Sequence, residues 1–187
     1  AKAVDALAAG DPAALALLDE AAAHMAMTAG VLAGGIDTAA KLDGDPADDA
    51  STLRANLTAL LGAHVYDAGI AVFTAYTAGA DSTAFAAAAD ALDANSMALA
   101  KAVGSLAGAK EEQAFLGLWR THIVFFVDYA LAGAAGDDAK QAKALADLDG
   151  YGASFGTYLE TLTGGALPQQ AVADDLAGHL QTLAAAI

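Results

Sequence analysis

From Phe115 to Tyr129 the large apolar residues Phe115, Leu118, Trp119, Phe125, Phe126 and Tyr129 recur at spacings of three and four. Only an α-helix gathers that spacing into one stripe, because its side chains return to the same face about every 3.6 residues. His122 falls in the middle of the stripe, and the pattern recurs around the other histidines. His64 continues the series Leu53, Leu57, Leu60, Leu61. His179 lies between Leu176 and Leu183, and His24 follows Leu17 and Ala21 and precedes Thr28 and Val31. Each of the four histidines is therefore expected on the core-facing stripe of a different helix.

The rest of the chain reads the same way. Apolar residues make up 57% of it and aromatics only 6%, much of the difference being alanine, which favours closely packed helices over a sheet-based core. Turn signals divide it into six predicted helices: A after Asp11-Pro12, B from about Ser51 to Thr77, C from Asp81-Ser82 to about Leu106, D from about Lys110 to Leu131, E from Asp138 to about Leu162, and F from Gln169 to Ile187. At 187 residues one domain over 1–187 accommodates them all. The expected architecture is all-α, an up-and-down bundle of four core helices, B to E, flanked by A and F.

A faint repeat organises these helices. LLGAHVYDAGIAVFTAYTAGADSTAFAAAADALDANS aligns with LWRTHIVFFVDYALAGAAGDDAKQAKALADLDGYGAS, each a histidine helix, a Gly/Ala turn and a second helix carrying Leu-Asp. His122 follows His64 by 58 residues and His179 follows His122 by 57. Helices B with C and D with E thus read as duplicated hairpins, with F the start of a third unit. The duplication predicts equivalent depths for His64 and His122.

Charge and composition exclude several classes of partner. With 8 basic against 23 acidic residues the formal charge is −15, which repels nucleic acid and anionic lipid. Mean hydropathy is +0.44. The most apolar stretch, Phe115 to Leu131, is interrupted by Arg120, His122 and Asp128, so no membrane span is expected. The first ten residues lack the basic start and apolar block of a signal peptide. There is no cysteine, hence no disulfide, thiolate metal site or covalent haem motif.

The runs LLGAHVYDAG, AALDANSMALAKAVGS, LWRTHIVFFVDYALA and DLDGYGASFGTYL resemble a family of secreted, alanine-rich helical domains from Gram-positive bacteria, often labelled copper amine oxidase-like. The resemblance runs from about Leu53 to the end of the chain. It implies an exported, extracellular or cell-surface protein with matched histidines at His64, His122 and His179. It does not imply oxidase activity, since such an oxidase is built on a large β-rich fold with a tyrosine-derived quinone.

Converging imidazoles bind metal ions or haem. The candidate metal ligands are His24, His64, His122 and His179, with Met25, Met27, Glu20, Asp67 and Asp175 nearby in sequence. Histidine with methionine suits copper, and histidine with carboxylate suits zinc. A b-type haem held between His64 and His122 is the alternative ligand, with Phe115, Trp119, Phe125, Phe126 and Tyr66 to line its slot. A third reading is a structural or protein-interaction module whose histidines are core residues. No Glu-x-x-His di-iron pair, Gly-x-Ser-x-Gly elbow or phosphate loop is present, so a non-enzymatic ligand-binding bundle is expected.

Overall fold

In the computed structural model, which describes residues 2–184 and side chains up to residue 182, every regular element is an α-helix. The order is α1 (Lys2–Ala9), α2 (Ala14–Ala40), α3 (Asp49–Ala78), α4 (Thr83–Ala107), α5 (Ala109–Ala135), α6 (Asp138–Leu162) and α7 (Gln169–Ala184). Side-chain caps start three of them. Asp48 accepts a 2.6 Å hydrogen bond from the Ser51 amide, Ser82 one of 3.1 Å from Phe85, and Asp137 one of 3.0 Å from Lys140. Each satisfies a first-turn amide that has no partner within its helix.

The predicted helices A to F correspond to α2 to α7, while the short α1 was not anticipated. The expected start of helix B at Ser51 moves back because Asp48, not Ser51, is its cap. α6 runs unbroken through Gly150 and Gly152, with Tyr151 and Gly152 buried there. The expected end of helix F at Ile187, and the Leu183 side chain, lie outside the described residues.

The core is organised around α5. Helices α3 and α4 pair, both pack on α5, α5 packs on α6, and α6 packs on α7. Beyond the four helices expected to form the core, B to E, the last helix also takes part. Leu180 of α7 packs against a cluster formed by Val72 of α3, Phe126 and Ala130 of α5 and Leu148 of α6. The main aromatic cluster joins Leu99 and Ala100 of α4 to Phe115 and Trp119 of α5 and to Tyr151 and Phe155 of α6.

Close approach of α7 depends on glycine. A Cβ at Gly156 would lie 2.5 Å from the Gln169 carbonyl oxygen, a separation that real Cβ atoms do not adopt. α2 is attached far more lightly, with Ala14 its only buried residue. Three helices, α2, α3 and α5, are long and apolar enough to cross a membrane. The interruptions in α5, from which no span was expected, therefore do not exclude one by length and composition, because the stretch carries two or fewer charges.

Candidate functional site

α3 and α5 lie side by side and turn their histidines toward each other. His64 and His122 are both buried, 4% and 6% exposed, and their Nε2 atoms are 3.4 Å apart. The rings are packed by aromatics. Trp119 lies 4.9 Å from His64 and 4.6 Å from His122, centroid to centroid, and Tyr151 of α6 lies 5.0 Å from His122. Asn95 of α4 is anchored by a 2.9 Å bond from its Nδ2 to the Leu60 carbonyl, next to the pair, and Ser96 bonds the Leu92 carbonyl at 2.8 Å.

The tautomer of each ring decides what the facing nitrogens can do. The side chain of Asn95 favours a proton on His64, and the Trp119 carbonyl favours one on His122. Neither Nδ1 completes a hydrogen bond of ordinary geometry, and Asn95 Oδ1, Trp119 Nε1 and the Tyr151 hydroxyl are also buried without a partner. When both protons sit on Nδ1, both Nε2 atoms present lone pairs to the same point. Two imidazole lone pairs aimed at one point can bind a metal ion.

Burial also keeps the pair uncharged. Desolvation, with the positive field of His179 second, lowers His64 to about 4. His122 is lowered to about 3, by desolvation first and by His64 next. Both rings are thus neutral, and able to coordinate, throughout the neutral pH range.

His179 of α7 lines the same cavity as His64 and His122. It stands edge-on to Phe126, with centroids 6.5 Å apart. The remaining lining is apolar: Ala68, Val72, Leu92, Ile123, Phe126 and Val127. The cavity encloses about 10 Å³, room for about one water-sized occupant. A larger groove of about 240 Å³ between α6 and α7 reaches His122 and His179 past Tyr151. Among the described residues, no three histidine or acidic side chains are already close enough together to enclose an ion. The pair is formed, and His179 stands at the cavity wall.

His24 does not join them. It was expected on a core-facing stripe, but it is exposed on α2, because that helix has almost no partner against which to bury a face. Met25 and Met27 are each 64% exposed, and Glu20 and Asp175 are also exposed. Asp67 is buried with Oδ2 unpartnered, and desolvation followed by the charge of Asp19 raises it to about 6. It does not line the histidine cavity. Asp128 is exposed and needs no buried partner, while Arg120 makes a two-pronged bond to Asp93 at 2.7 and 2.8 Å.

Sequence spacing singled out the histidines but gave no sign of Asn95, the Trp119 carbonyl or Tyr151 as their neighbours. Three different helices supply those groups, and only their packing brings them together. No family model matches the chain, and neither a curated protein nor a solved structure matches it.

Proposed function

We propose that this protein is a non-enzymatic, exported metal-binding bundle that holds one transition-metal ion, copper or zinc, between His64 and His122, with His179 as the third ligand. The observation that carries this reading is the 3.4 Å separation of the two Nε2 atoms. Two nitrogens bound to one tetrahedral ion at 2.0–2.1 Å stand about 3.3–3.4 Å apart. A neutral N–H···N hydrogen bond is the competing explanation of the contact, and at this length it is a poor one.

Haem is less well supported. A porphyrin between the same rings needs a slot far larger than a cavity of about 10 Å³. Placement outside the cell rests on the sequence resemblance alone.

Metal analysis and absorbance of the purified protein test the reading. Near-stoichiometric copper or zinc, lost in His122→Ala, is the expected result. A Soret band favours haem, and a chain that takes up neither ligand is the interaction module. The variant removes one of two indispensable ligands, so its metal content is expected to fall at least about tenfold.

A further inference from the structure

Resting on the metal-binding reading, we infer that the site selects the cuprous ion over divalent zinc or copper. The imidazole donors alone do not discriminate, since they suit copper and zinc alike. The methionines beside His24 that suggested copper are outside the cavity, as are the carboxylates that suggested zinc. The surroundings make the choice.

The three imidazole rings and an apolar wall supply no negative charge to the ion. Desolvating an ion costs free energy in proportion to the square of its charge, so a dication here is penalised about fourfold more than a monocation. The buried carboxylate of Asp67 does not line the cavity. Coordination number points the same way. Zinc completes a fourth position with another ligand, and the cavity lining apart from the three histidines is apolar and offers no fourth donor. Cuprous ion is satisfied by two or three nitrogens.

The test is an anaerobic titration of the full chain with Cu(I) against the chromophoric chelator bicinchoninate, set beside Zn(II) and Cu(II) titrations in matched buffer. One Cu(I) per chain, held at least about a hundredfold tighter than either divalent ion, is expected. Comparable affinity for Zn(II) or Cu(II) overturns the selectivity and leaves the metal reading standing. Uptake of none of the three overturns both. His179→Asp, with retained helicity checked by circular dichroism, provides a second arm: the residue is partly exposed on α7, and the change places a carboxylate among the ligands. The preference for Cu(I) over Zn(II) is expected to fall by about tenfold or more. An unchanged preference overturns the role assigned to ligand charge.

Discussion

Helices α2 and α5 are the same length, 27 residues, both are apolar enough to span a membrane, and both carry a histidine amid apolar neighbours. Their fates differ completely. α5 buries Phe115, Trp119, His122 and Phe126 against three neighbouring helices, whereas α2 leaves His24, Met25, Met27, Val31, Leu32 and Ile36 in solvent. An apolar stripe states what a helix face prefers; burial also requires a partner surface large enough to cover it. The aromatic residues of α5 provide that surface, and the alanine and glycine of α2 do not.

Trp119→Ala gives the largest expected effect. It removes the ring that touches both imidazoles and is expected to destabilise the protein by about 3–5 kcal/mol, while Val31→Ala on α2 stays within about 0.5 kcal/mol. Urea denaturation of both variants checks this. Equal losses would show that α2 is as tightly packed as α5.

Acid comes next. Because His64 and His122 are lowered in the folded state, the unfolded chain binds more protons below their ordinary value of 6.5, and stability falls as pH falls from there toward 4. Asp67, raised to about 6, acts oppositely and loses its contribution as pH rises from 3.8 through 6. Two groups against one leave a net loss of about 1.4 kcal/mol per pH unit on acidification from 6 to 4. Denaturation at stepped pH measures it. A flat profile would mean that the imidazoles are solvated like His24.

Gly156→Ala is expected to push α7 off α6 and cost about 1–3 kcal/mol. Gly34→Ala on α2, where a Cβ meets nothing within 4 Å, is expected to stabilise by about 0.5–1 kcal/mol. Opposite signs in thermal melts sharpen the contrast between a packed and an unpacked helix, and like signs would erase it. Smallest of all, His24→Ala should change stability by less than about 0.5 kcal/mol and leave metal content untouched. Metal lost with His24 would place α2 within the site.

The sequence made the helices legible because caps and turns are local: Asp48, Ser82 and Asp137 act on amides three residues away. The spacings of 58 and 57 residues also marked His64, His122 and His179 as a set, and these are the histidines that share the cavity. His24 was indistinguishable from them by periodicity. Trp119 was already placed beside His64 and His122 by the sequence pattern, but Asn95 and Tyr151 could not be assigned to the site, since their meeting depends on how four helices cross.

Sequence by itself determined an all-helical chain, its breaks and the helix faces that seek burial, because those depend on contacts within a few residues. Tertiary structure alone decided which faces found partners, that α7 joins the core and that two imidazole nitrogens stand 3.4 Å apart. The reason is geometric: a distance between separate helices is set by side-chain volumes at their crossing, and no local spacing encodes it.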